Sequence, residues 1–358
     1  MKRIKNLSAG SRNGFINYGI VIVFFIVFQS LLAADQLSNN FTGQLIPICA
    51  YVIMALSLNL VVGISGELSL GHAGFMSVGA FTGVIVATSL QHSVTAAPLR
   101  LVLAILIGAL IAAVAGVIIG VPVLRLQGDY LAIVTLAFGE IIKNVLNCLY
   151  VGVDSHGLHF AMNNSMNLGL EEGGTVILNG PMGALGITKL STFVSGIILV
   201  LIVLFIIQNL VNSRAGRAIK AIRDNRIAAQ ACGLNITKYK MMAFVTSAAM
   251  AGAGGALYAL SYSTIVPRQF DFNTSILILV FVVLGGIGNL RGSIIAAAVL
   301  TVLPELLREF QDYRMLVYAI VLILVMLVTN NEQAKALIRR VTGRFSRKAK
   351  GEEGAIHE

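Results

Sequence analysis

An all-α polytopic membrane protein of about ten transmembrane helices, some broken or re-entrant, is the fold this sequence predicts. Three observations carry the prediction. Of 358 residues, 57% are hydrophobic and only 12% charged, mean hydropathy is +0.86, and apolar runs of near-spanning length recur along the chain. Soluble domains do not have that composition. A net charge of +10 admits a nucleic-acid partner in principle, but the cations cluster beside apolar runs. Anchoring to the inner membrane surface explains them more simply, so membrane lipid is the expected partner and nucleic acid is not.

The first run, 16–34, follows Lys2, Arg3, Lys5 and Arg12. That flank fits a signal peptide, but the length of the run and the spans behind it favour a first anchor. The second and third runs, 44–63 and 73–90, are joined by the Gly-rich stretch Gly63–Gly74, which holds Gly66, Glu67, Ser69, Gly71 and His72. Two readings stand. A broken helix here would expose backbone amides to a substrate carboxylate, and a tight turn capped by Ser65 and Ser69 would not. The fourth run, 98–121, repeats Gly108, Ala112, Gly116 and Gly120 every four residues. Such a stripe allows close backbone approach, within one subunit or at a subunit interface; Gly79 with Gly83 on the third run, and Ala248, Gly252 and Ala256 on the seventh, repeat it.

The fifth run, 129–150, carries Glu140, the ionisable group deepest in an apolar segment. Either Glu140 pairs with Lys143 one turn on, or Glu140 or Asn144 meets a substrate ammonium group. The loop 152–190 is rich in Gly and Asn and long enough for structure of its own; its His156 and His159 lack the cysteines or carboxylates of a metal site. After the sixth run, 192–212, comes the basic segment 213–240. On a helical wheel Ala218, Ile219, Ile222 and Ala229 share one face, opposite Arg217, Lys220 and Arg223, with a stop at Gly233. An interfacial helix on anionic lipid and a docking element for another protein both fit. Runs at 241–262, 274–289, 293–307 and 313–329 complete the count, and Gly285, Gly288 and Leu290 echo the spacing of Gly63, Gly66 and Leu68.

Ten crossings with both termini cytoplasmic place 20 of the 26 Lys and Arg on one side; the other six are Arg100, Lys143, Lys189, Arg268, Arg308 and Arg314. The organisation expected is one membrane domain over 1–330, with 152–190 outside, 213–240 inside and a charged cytoplasmic tail over 331–358. Cys49, Cys148 and Cys232 are too scattered for a metal or redox motif.

The stretch Ala228-Ala229-Gln230-Ala231-Cys232-Gly233 resembles the EAA loop of ABC importer permeases, with Gln230 where an acidic residue is expected. ALSLNLVVGISGELSLGHAGFMSVGAF (55–81), GDYLAIVTLAFGEIIKNVL (128–146), AFVTSAAMAGAGGALYAL (243–260) and VVLGGIGNLRGSIIAAAVL (282–300) resemble branched-chain amino-acid permeases of the LivM/LivH type, on the LivM-like side. The resemblance implies a multi-pass subunit of the bacterial inner membrane. It would work with a second homologous permease subunit, two cytoplasmic ATPase subunits and an extracytoplasmic substrate-binding protein, and would need no cofactor of its own. No GxxxxGK[ST] loop occurs, so ATP hydrolysis falls to the separate subunits and the chain is not expected to be an enzyme. Coupling to the ATPase is then expected at Arg217, Ile219, Ile222, Arg223, Ala228, Ala229, Gln230 and Gly233, and the substrate path at Gly66, Glu67, Ser69, Gly71, His72, Glu140 and Asn144. The rival readings are an ion-coupled transporter of a small amino acid or an amide such as urea, which would want more buried carboxylates, and a membrane scaffold, which leaves the basic segment unexplained.

Overall fold

Seven helices among the described residues are long and apolar enough to cross a membrane. The computed structural model describes residues 9–34, 39–91, 93–124, 128–154, 157–162, 164–170, 174–307, 316, 319–320 and 323. The chain divides into a unit Met1–Thr301, treated below, and a unit Val302–Glu358. The tail after 330 lies outside the described residues, as does the tenth predicted span apart from isolated helical positions.

The helices are α1 (Ala9–Ala33), α2 (Asn39–Asn59), α3 (His72–Ser89), α4 (Ala97–Val123), α5 (Asp129–Cys148), α6 (Phe193–Asn212), α7 (Arg214–Asp224), α8 (Arg226–Ala231), α9 (Ile236–Ala259), α10 (Phe272–Gly285) and α11 (Leu290–Leu306). A π-segment, Leu60–Ser65, extends α2. Two predicted boundaries move for local reasons. Asn235 caps the amide of Lys238, so α9 starts several residues ahead of its apolar run, while α10 has only 14 residues, a length of about 21 Å and short of a full crossing.

The centre of the bundle is α3 against α4 and α9, and the small-residue stripes meet there. A Cβ at Gly79 would overlap the backbone of Gly252, one at Gly255 the carbonyl of Met76, and one at Gly252 the side chain of Ala112; Gly116 faces Ala248, and Gly83 faces Ala256. With no hydrophobic effect between helices in lipid, contact area must come from such close approach.

The 152–190 loop folds into most of an antiparallel sheet: β1 (Leu149–Asp154), β2 (Gly157–Met162), β3 (Thr175–Asn179) and β4 (Ala184–Leu185), with β5 (Thr264–Ile265) arriving from the α9–α10 connection, in the order β2-β1-β3-β4-β5. β1 takes over at Leu149, so α5 stops before the predicted end of its span. The pairing Ala184↔Ile265 puts the far ends of α5 and α9 at one end of the bundle, the sheet end. The α7–α8 hairpin lies at the other, where Arg291 Nε donates to Asn17 Oδ1 of α1 at 2.7 Å and Gly120, near the end of α4, packs on Met241. Arg100, Lys189 and Arg268 fall towards the sheet end, and the basic residues of 213–240 at the hairpin end.

Candidate functional site

The basic segment forms two helices, not one. Asn225 breaks the expected single helix: its backbone is extended, and its side chain accepts from the Ala228 amide at 3.0 Å, starting α8 anew. Ser213 caps α7 in the same way, through the Gly216 amide. Gly233, at φ +80°, ends α8 with its own amide on Gln230 O and that of Leu234 on Ala229 O. Ala218, Ile219, Ile222 and Ala229 do share a face, but that face is buried within this chain, Ile219 at 1% exposure. Among the side chains turned outward are Arg217, Arg226, Ala228, Gln230 and Ile227, the last 82% exposed. Ile227 was not singled out by periodicity; the signal available was a large apolar residue on the polar side of the wheel.

Arg223, part exposed, reaches across to the π-segment. Its Nη1 donates to Gly63 O at 2.9 Å, while Nε and Nη2 hold Asp224 Oδ1 at 3.0 and 2.9 Å. Its alkyl stem lies over Gly66, whose φ of +75° and lack of a side chain are both needed there, because a Cβ would come within 2.6 Å of Arg223 Cγ. Glu67 forms an ion pair with Lys240 of α9. Ser65, Gly66, Glu67, Arg223, Arg226 and Lys240 line an open cleft of about 410 Å³ at this end. Asn59, fully buried, ties the same stretch to the α10–α11 turn: Oδ1 accepts from the Gly288 amide and Nδ2 donates to Ser293 Oγ, both at 2.8 Å. The echoed glycines therefore meet in space, with Gly63 against Gly288.

The Gly-rich stretch is a non-helical break between the π-segment and α3. After the π-segment the chain runs from Gly66 into the bundle, and α3 begins at His72 beside the backbone of Thr135, against which Gly71 is packed. Two of the amides at the break are taken up by side chains of neighbouring helices. Leu70 N donates to Thr135 Oγ1 and Ala73 N to Ser275 Oγ, both at 3.1 Å. His72, 2% exposed, has its Nε2 2.7 Å from Ser57 Oγ, and that hydroxyl donates to Met54 O. Ser69 Oγ is buried without a hydrogen-bond partner.

Beside this break, α5 presents a polar face. Glu140 and Lys143 pair with each other, and Asn144 is exposed. Glu140 shares a narrow cleft with Leu70, Phe270, Asp271 and Ser275, so α3 and α10 both start next to it. Burial alone would raise the Asp271 carboxyl. The Thr274 amide, the Asn273 and Thr274 side chains and the Lys143 charge outweigh it and hold the group below the ordinary carboxylate range. At the sheet end His159 pairs with Asp154 at 2.9 Å; His156 lies outside the described residues, among which no cluster of three metal-ligating side chains occurs. Cys49 is buried, while Cys148 and Cys232 are exposed.

The family model described as branched-chain amino acid transport system / permease component matches residues 40–326. The chain belongs to that family. This permease is 37% identical over 292 residues to the high-affinity branched-chain amino acid transport system permease protein LivM of Salmonella typhimurium, a match covering 77% of this chain and 66% of that one. It is 26% identical over 324 residues to the ribose import permease protein RbsC of Escherichia coli, covering 88% and 93%, and 25% identical over 308 residues to the LivH permease protein of Salmonella typhimurium, covering 84% and 94%. The permease thus spans slightly under two thirds of the LivM relative's length. No solved structure matches it.

Proposed function

We propose that this permease is a membrane-spanning subunit of an ATP-driven importer of branched-chain amino acids, with its hairpin end in the cytoplasm. The observation that carries the reading is the hairpin itself: its apolar face is spent inside the chain, and it still offers Ile227, Ala228 and Gln230 outward beside Arg226. A large β-branched residue held out in this way on a capped helix suits an apolar pocket on an ATPase subunit. The excess of Lys and Arg at that end supports a cytoplasmic placement.

The substrate path runs along α5. An ion pair and an amide on a span otherwise exposed to its surroundings do not belong against lipid tails, so this face turns to a second permease subunit with an aqueous path between them. Glu140, Lys143 and Asn144 contribute the polar groups, next to the interrupted starts of α3 and α10. A binding protein delivers substrate at the sheet end. Family membership favours this over an ion-coupled carrier of an amino acid or amide.

The test is reconstitution of the permease with its partner permease, the ATPase subunits and the binding protein in proteoliposomes. Leucine uptake should require ATP and stop when Ile227→Asp releases the ATPase. Uptake that ignores ATP but follows a sodium or proton gradient would refute the proposal.

A further inference from the structure

Movement at a docked hairpin does nothing for transport unless something carries it into the bundle. Within the described residues α7 and α8 meet the rest of the chain through α6, through α9 and through the π-segment with the residues just after it. The first two are continuous helices joined to the hairpin by the chain. The third is different, because the π-segment is not regular: Gly66 N and Glu67 N both donate to Val61 O, and the Gly63 carbonyl takes a hydrogen bond from Arg223. An i→i+5 segment is a rare and marginal form of helix, and its extra residue can be gained or lost by a small change of register.

We propose that Arg223 is the positioning residue that carries hairpin movement into the bundle by its hydrogen bond to Gly63 O, and that Asn59 passes it on to the α10–α11 turn. The proposal rests on the hairpin being the ATPase-facing element.

Arg223 suits this role because its guanidinium is held at both ends. Asp224 fixes the plane of the fork through Nε and Nη2, leaving Nη1 aimed at Gly63 O. The stem is pressed on Gly66, so the hairpin can push the π-segment as well as pull it. Four residues before Gly63, Asn59 holds Gly288 and Ser293 by both ends of its amide. Gly63 and Gly288 approach backbone to backbone, with the Asn59 carboxamide packed at the same contact. Glu67, paired with Lys240, binds the following loop to the first turns of α9. The loop in turn sets the start of α3, beside Thr135 and Ser275. One hydrogen bond thus joins the hairpin to both interrupted helix pairs that border the Glu140 cleft.

The experiment uses the reconstituted four-component importer and reads three quantities: subunit composition, ATP hydrolysis and leucine taken up per ATP. Arg223→Gln should keep the ATPase subunits in the complex and keep them hydrolysing ATP, while uptake per ATP falls about tenfold, within the usual range of site-to-site coupling. Ser293→Ala, which removes one partner of Asn59 at little cost in packing, should lower the same ratio by a smaller factor. The double variant should be no worse than Arg223→Gln alone, since both changes cut one line of transmission. Wild-type uptake per ATP in Arg223→Gln, or losses that multiply in the double variant, would overturn the proposal. So would departure of the ATPase from the Arg223→Gln complex, which would place the side chain in the docking surface. A wild-type complex that binds ATPase but takes up leucine without ATP refutes the importer reading itself, a failure visible before any variant is made.

Discussion

The α3–α4–α9 core and the α7–α8 hairpin are held by opposite means. In the core, glycine and alanine stripes bring backbones together, and Gly79, Gly252 and Gly255 leave no room even for a methyl group. The hairpin is held by a few buried side chains, Ala218, Ile219, Ile222 and Ala229, and by polar pins: Arg223 to Gly63 and, just beyond α8, Lys240 to Glu67. A backbone-to-backbone contact has one geometry and resists deformation. Hydrogen bonds and ion pairs can be exchanged for others of similar energy. Under the proposed function the core is the scaffold and the hairpin end the part that moves.

The largest expected effect lies in the core. Gly79→Leu should cost about 3 kcal/mol or more, through collision with the Gly252 backbone, and should appear as loss of monodisperse protein in detergent; a well-behaved Gly79→Leu variant would break the comparison. Next is the Glu67–Lys240 pair, whose side chains are 11% and 13% exposed. Lys240→Met should destabilise by about 3 kcal/mol because it strands a buried carboxylate, and adding Glu67→Gln should restore much of the melting temperature. Within the hairpin, Ile219→Ala should lower stability by about 2 kcal/mol, whereas Ile227→Ala should leave the melting temperature unchanged and weaken only ATPase binding. Equal thermal effects of the two would erase the distinction between the inward and outward faces.

The smallest effect is at Asp271. Its carboxyl is held below the ordinary range in the folded protein, so its contribution to stability is present above that range and disappears as pH falls through the lowered value. Asp271→Asn should therefore flatten the acid side of a melting-temperature profile while leaving the neutral side almost level.

Much of this architecture was legible in the residues. Apolar length gave the spans, and the stripes at Gly108–Gly120, Gly79–Gly83 and Ala248–Ala256 proved to pack on one another, because in lipid small residues mark where helices touch. The Gly63–Gly74 stretch does interrupt helical structure between two spans, and Gly63 lies against Gly288. Other features depend on partners distant in sequence. That Arg223 reaches to the π-segment follows from a carbonyl 160 residues away, and that the amides of Leu70 and Ala73 are taken follows from Thr135 and Ser275. The division of the hairpin at Asn225 could have been read, since Asn before a short helical stretch is a capping signal; the continuous apolar wheel concealed it. The sheet was hidden by the glycine- and asparagine-rich connections between its short strands and by β5, which arrives from far along the chain.

The central claim is that the outward face of the hairpin, in the cytoplasm, meets an ATPase. A photo-crosslinking amino acid placed at Ile227 in intact cells tests it directly. The account predicts a crosslinked species containing this permease and its ATPase subunit, lost when the crosslinker is moved to buried Ile222. A crosslink confined to lipid, or reaction of position 227 with a membrane-impermeant reagent added outside the cell, would contradict it.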